Sequence, residues 1–370
     1  MLLFTPGPTP VLEDVRFSMS QPTIHHRTPE FEAIFADTRS KLLHIFQTKE
    51  VIMIASSGTG AMEAAVINFA QKKALTINAG KFGERFGKIC QAQNIPYSEL
   101  KYEWNTPASK DEIIKALEHD KEIDALFIQV CESAGGLRHP VEEIAKAVKN
   151  LDRDIMIVAD GITAVGVEPI DTSYIDVLIS GSQKAFMLPP GLAMLGLNEG
   201  ALKRLEEYDR GYYLNLKSEL KKQQANTTAY TAATTLIIGL GTMLSKIEDI
   251  GVDTLYHDTQ MRAKATQKAL QAIGLNMYPS TPALAMTTIA FEKADELRKI
   301  LKNKYAVNIA GGQDHLKGKI FRINHMGLIE AYEASWVVNA IELVLSDMGV
   351  RAYDGTANKI FNQALFGENV

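Results

Sequence analysis

The reading of this chain turns on residues 155–184, where Ile155-Met156-Ile157-Val158-Ala159 runs into Asp160, and Val177-Leu178-Ile179-Ser180 runs into Gly181-Ser182-Gln183-Lys184. Both short apolar runs predict buried strands. Each delivers a group that an apolar strand has no use for: a carboxylate at Asp160 and an amine at Lys184, 24 residues later. In open α/β sheets, ligands gather at the carboxyl ends of the strands. Taken singly, Asp160 reads equally as a helix N-cap, and Lys184 as a lysine snorkelling from a loop.

Working outward, strands and helices alternate. Residues 29–48 space Phe31, Ile34, Phe35, Leu42, Ile45 and Phe46 as a helix does. Val51–Ile54 predicts a strand, residues 61–69 a helix, 74–78 a strand and 82–93 a helix. A helix over 111–117, a strand over 125–130 and a helix over 140–148 lead to the strand before Asp160, and 193–197 predicts a returning strand. This alternation predicts an α/β architecture, a sheet covered by helices. Near residue 250 the rhythm changes to a long helix, then strand, helix, strand and helix up to residue 345, a compact α+β unit. The opening Thr5-Pro6-Gly7-Pro8-Thr9-Pro10 is barred from helix by its prolines and predicts an extended arm. The expected division is an arm over 1–14, a large domain over 15–255 and a small C-terminal domain over 256–370. Residues 351–370 carry no readable motif.

The bulk numbers narrow the function classes. A net charge of −5 argues against nucleic acid as partner, because its binders carry a basic excess. Hydrophobic residues at 46% and charged residues at 22% are those of an ordinary soluble globular chain. Cys90 and Cys131 are the only cysteines, with neither disulfide nor metal-ligand spacing. The opening MLLFTPGPTP lacks the basic and long apolar parts of a signal peptide, and no run has the length of a membrane span. The expected location is the cytoplasm.

Ser57-Gly58-Thr59-Gly60 lies between a predicted strand and a predicted helix. Backbone N–H groups and the helix dipole favour an anion at such a turn, with phosphate the usual guest. No Gly-Lys-Ser/Thr follows and the third glycine of the dinucleotide fingerprint is missing, so alone it reads as readily as a plain strand–helix turn. Together, an anion cradle, an acid at a strand end and a flanked lysine match what pyridoxal phosphate (PLP) needs. Its phosphate requires a cradle, its pyridine nitrogen a carboxylate, and its aldehyde a lysine for a Schiff base.

At this point the chain resembles the class V aminotransferases of PLP fold type I, in particular the alanine–glyoxylate and serine–glyoxylate (serine–pyruvate) branch. The resemblance covers roughly residues 3–348. It rests on Thr5-Pro6-Gly7-Pro8-Thr9, His26-Arg27, Ser57–Ala64, Asn78–Arg85, Glu132-Ser133, Asp160, Ser182-Gln183-Lys184 and Phe321-Arg322-Ile323. It implies a large domain with a mostly parallel central sheet and a smaller C-terminal α+β domain. It also implies that Lys184 forms the Schiff base and shuttles a proton, and that Asp160 pairs with the pyridinium. Ser57, Gly58, Thr59 and Gln183 would hold the phosphate. Phe82, where the family often has a larger aromatic, would stack on one ring face, with Ile162 on the other. Ser133 would contact cofactor or substrate, and Gly7 would lie beside the substrate. Family members are homodimers, and Thr228 and Thr231 in Thr227–Ala233 would serve the partner's phosphate site. Ala229, Ala232 and Ala233 stand where relatives often carry prolines.

Arg322 interrupts the apolar run Ile320–Ile323. An arginine there needs an anion, since an unpaired buried charge is costly. A structural ion pair would serve, and so would a substrate carboxylate gripped by the guanidinium fork. No clear second cation for a distal carboxylate is found. The expected activity is therefore ping-pong transamination from alanine or serine to glyoxylate or pyruvate. The competing readings are an aminoethylphosphonate or aspartate transaminase, a desulfurase or lyase on the same scaffold, and a non-catalytic partner subunit. A desulfurase is disfavoured because no cysteine follows Lys184.

Overall fold

The computed structural model describes residues 1–367. Its centre is a seven-stranded sheet. From one edge the order is Glu50–Ile54, Ala193–Leu197, Val177–Gly181, Met156–Asp160, Ile123–Gln129, Lys73–Asn78 and Tyr97–Lys101. Ala193–Leu197 runs antiparallel to both neighbours, and the other pairs are parallel. The alternating side chains of these strands divide between two cores. Met53, Leu75, Leu126, Ile157, Leu178 and Met194 face one, while Ile52, Ala74, Phe127, Val158, Ile179 and Leu195 face the other. Covering both faces explains why the strands read as unbroken apolar runs rather than as alternating ones.

Helices Gly58–Phe69, Lys81–Ala92 and Glu199–Glu207 cover one face, and Pro29–Phe46, Val141–Lys149 and Thr234–Ile250 the other. Helix Thr234–Ile250 was absent from the sequence expectations. Its Gly239 and Gly241, poor helix formers, let neighbours approach. A Cβ on Gly239 would come within 2.7 Å of Met19, and one on Gly241 within 2.7 Å of Thr38.

A second, five-stranded sheet has the order Leu2–Phe4, Val307–Gly311, Ile320–Asn324, Met286–Ala290 and Asn276–Met277. Leu2–Phe4 pairs parallel with Val307–Gly311, so the extreme N-terminus is bound into the C-terminal α+β unit. Helix Val252–Ala272 runs without a break through residues 255 and 256. The unreadable tail forms helix Thr356–Phe366, whose Phe361 is fully buried in the core of this unit. Among the described residues, no helix is long and apolar enough to cross a membrane.

Candidate active site

Six strands of the large sheet point the same way, and the segments leaving the carboxyl ends of five of them carry most of the expected residues. Glu50–Ile54 leads to Ser57-Gly58-Thr59, and Lys73–Asn78 to Phe82. Ile123–Gln129 leads to Ser133, Met156–Asp160 to Asp160 and Ile162, and Val177–Gly181 to Gln183 and Lys184. One edge of the sheet thus collects residues spread over more than a hundred positions.

Ser57 is the N-cap of helix Gly58–Phe69 with an extended backbone, and its hydroxyl makes no capping hydrogen bond. The N–H groups of Gly60 and Ala61 turn back to the Ser57 carbonyl at 2.9 and 3.3 Å. Those of Gly58 and Thr59 belong to the orphan donors of a first helical turn. Gly58 is closed over by Ile162, whose side chain a Cβ at position 58 would strike. Arg85 donates to the Thr59 hydroxyl at 2.7 Å, and its guanidinium lies 4.6 Å from the centre of the Phe82 ring. The Gln183 side-chain oxygen is buried without a protein partner.

Asp160 is 4% exposed and accepts the Ile162 N–H at 3.0 Å. Burial pushes its carboxyl up to about 6, against the opposing pull of that N–H, Arg85 and Lys184. Lys184 is anchored through its backbone. The Thr9 hydroxyl donates to the Lys184 carbonyl at 2.7 Å and the Thr9 N–H to the Gln183 carbonyl at 3.1 Å. The Lys184 amine donates to the Pro6 carbonyl. The residue as a whole is partly exposed. Burial first, then Arg322 and Arg85, lower its pKa to about 8, despite Cys131 and Asp160.

Arg322 lies in strand Ile320–Asn324 and is 8% exposed. Its Nε and Nη2 donate to the Gly311 carbonyl at 3.1 and 2.7 Å, and its Nη1 to the Ser133 carbonyl at 2.6 Å. Two of the five guanidinium N–H bonds are left over, and the arginine has no carboxylate partner among the described residues. The structural ion pair weighed for this residue is thus not what the structure holds.

Thr228 and Thr231 sit elsewhere in the chain. They line a small hollow with Tyr213, Glu219 and Tyr230. The Thr228 hydroxyl donates to the Tyr230 carbonyl at 2.5 Å, its own carbonyl accepts from Arg27 at 3.5 Å, and Thr231 is exposed. Neither hydrogen-bonds to Ser57, Gln183 or Lys184 of the same chain.

Sequence reasoning gave Glu132 no role, yet it is wholly buried and accepts three backbone N–H groups, from Phe82, Gly83 and Ala134. The available signal was the one that marked Asp160: an acid just past an apolar strand. Pro6 was missed because a backbone carbonyl leaves no mark in a sequence.

The family model for class-V aminotransferases matches residues 11–336. An "uncharacterized aminotransferase" of Helicobacter pylori is 50% identical over 368 residues, covering 99% of this chain and 100% of that protein. A serine–glyoxylate aminotransferase of Hyphomicrobium methylovorum is 29% identical, covering 94% of this chain and 90% of that protein. Among solved structures, the subgroup IV aspartate aminotransferase of Thermus thermophilus superposes with a TM-score of 0.87 at 28% identity. That match covers 94% of this chain and 99% of that one. A sheet edge that assembles a glycine-rich helix start, a buried acid and a lysine, together with a family match over most of the length, leads to one conclusion: the chain belongs to the class-V aminotransferases and is a PLP-dependent transaminase.

Proposed function

We propose that this transaminase moves the amino group of alanine or serine onto glyoxylate or pyruvate by a ping-pong mechanism, with Lys184 as the Schiff-base lysine. The observation that carries the reading is Arg322. It is one buried guanidinium with N–H bonds to spare and only carbonyls for partners, which suits the single carboxylate of a small amino acid. The likeness to a serine–glyoxylate aminotransferase supports the same substrate class.

The residues present fit the cofactor. The phosphate would be held by the Ser57 hydroxyl, the Gly58 and Thr59 N–H groups and the side-chain amide N–H groups of Gln183. Phe82 and Ile162 would flank the ring, and the Asp160 carboxylate would hold the proton on the ring nitrogen. A cation there lowers the pKa of a buried carboxyl and relieves the cost of its burial. When bound, pyridoxal phosphate supplies the electron sink that makes a Cα proton removable. Lys184 Nζ, neutral above about pH 8, would take that proton from the substrate Cα and pass it to the cofactor carbon that bore the aldehyde, and the second half-reaction would run the same transfer backwards. Arg322 fixes the carboxylate, and with it the direction in which the Cα–H bond points. Ser133, whose carbonyl steadies Arg322, and Gly7 would border the substrate.

Exposed Thr231 and neighbouring Thr228 would complete the phosphate site of a second copy in a homodimer, as the family resemblance implies. Two buried free cysteines suit a reducing compartment such as the cytoplasm.

A second reading takes aspartate as donor, and the likeness to the Thermus aspartate aminotransferase favours it. Both readings are tested by adding alanine, serine and aspartate in turn to the yellow holoenzyme. Bleaching by alanine or serine, with recovery on glyoxylate or pyruvate, supports the first. Bleaching by aspartate alone replaces it with the second.

A further inference from the structure

Glu132 accepts three backbone N–H groups, where the neighbouring strand-end acid Asp160 accepts one. Its Oε2 accepts the N–H groups of Phe82 and Gly83 at 3.0 and 2.8 Å, and its Oε1 accepts that of Ala134 at 3.0 Å. The first two open helix Lys81–Ala92, where orphan donors and the helix dipole favour a carboxylate. The third lies in the turn that carries Ser133. The carbonyl of Ser133 receives Arg322, and that of Glu132 receives the N–H groups of Gly135 and Gly136 at 3.3 and 2.9 Å. The carboxylate is wholly buried and has no salt-bridge partner among the described residues.

The neighbourhood is built to admit this side chain. Gly80, the N-cap of the helix, has an extended backbone open to any residue, yet a Cβ there would strike the Glu132 carboxyl. The glycine is required by space and not by conformation. Burial and nearby Asp160 push the Glu132 carboxyl up to about 7, with the three N–H groups opposing. Ionising an acid here carries a desolvation cost that the three N–H groups offset only in part.

We propose that Glu132 is a positioning residue that couples the two halves of the active site. One oxygen sets the height of Phe82 against the cofactor ring, and the other sets the Ser133 turn and, through it, the Arg322 guanidinium. The proposal rests on the reading of Lys184, Phe82 and Arg322 given above. A glutamine at this position has one acceptor oxygen in place of two, so one half must be released. An aspartate keeps both oxygens but is one methylene too short to reach both halves.

The test compares wild-type, Glu132→Gln and Glu132→Asp holoenzymes after far-ultraviolet circular dichroism has shown which variants are folded. Three quantities are read: the Kd for pyridoxal phosphate from fluorescence quenching, the visible circular dichroism of the bound cofactor, and KM and kcat for the amino donor. Glu132→Gln is expected to weaken cofactor binding about tenfold or more, to change the sign or amplitude of the visible dichroism, and to raise KM for the donor several-fold. If Glu132→Gln does not fold, Glu132→Asp is read by the same criteria with smaller changes expected. A folded variant with wild-type Kd, visible dichroism and KM overturns the proposal and leaves Glu132 a simple helix cap. Failure of the underlying reading looks different: there, Lys184→Ala would keep a covalently bound cofactor whatever Glu132 does.

Discussion

Gly7 packs directly against Lys184: a Cβ added at position 7 would collide with the lysine amine and lie 2.8 Å from its Cδ and Cε. The backbone of Gly7 also has φ +112°, a conformation that side chains resist. Gly7→Ala is therefore strained twice, and relief requires the arm or the lysine to move. The expected outcome is a fall in kcat of about a hundredfold or more with little loss of overall fold, checked by steady-state kinetics beside a thermal melt.

Arg322→Ala removes the only guanidinium assigned to the substrate carboxylate. A charge-assisted bidentate contact contributes about 2–4 kcal/mol, so kcat/KM for the donor should fall roughly 30- to 1000-fold. Arg322→Lys should recover little, because an ammonium has no planar fork. Slow reaction with an amine lacking a carboxylate should change far less than reaction with the amino acid, and comparing the two amines checks it.

The Lys184 amine is held near 8, mainly by burial. Only the neutral amine attacks the aldehyde of free pyridoxal phosphate. The rate of reconstituting the apoprotein should therefore rise with pH through about 8 and level off above it. A stopped-flow series in absorbance from pH 6 to pH 10 measures this. A rate independent of pH in that range would show that the amine is already neutral, or that its deprotonation does not limit attachment.

Asp160 gives a stability prediction whose sign opposes that of the usual carboxylate. Its folded pKa, about 6, lies above its ordinary value of 3.8. Between these values the folded chain binds the proton that the unfolded chain has lost, so apoprotein stability falls as pH rises through this window. Above it the penalty is complete, on the order of 2–3 kcal/mol. Asp160→Asn keeps the acceptor for the Ile162 N–H and removes the charge. The variant apoprotein should melt several degrees higher than wild type at pH 8 and near wild type at pH 4, while transaminase activity falls about a thousandfold or more. Calorimetry at the two pH values checks the first half and kinetics the second.

Much of this was legible in the chain because burial writes itself into composition. Strands covered on both faces become apolar runs, and Asp160 and Lys184 stand out at the ends of such runs. Residues whose importance lies in what reaches them were harder to read. Glu132 matters through three N–H groups contributed by two segments fifty residues apart, and Pro6 through a carbonyl. Strand Leu2–Phe4 is three residues long, and its partner Val307–Gly311 lies some three hundred positions away, so no local pattern announces the pair. Helix Thr234–Ile250 was hidden by its glycines, whose value appears only where Met19 and Thr38 press against them.

Lys184 as the carrier of the cofactor is open to direct chemical trapping. The purified holoenzyme is reduced with borohydride and digested, and its peptides are weighed and sequenced by mass spectrometry. A single phosphopyridoxyl adduct is expected, on Lys184, and it disappears when alanine or serine is added before the reductant. An adduct on a different lysine, or none on a holoenzyme that is yellow and active, would contradict it.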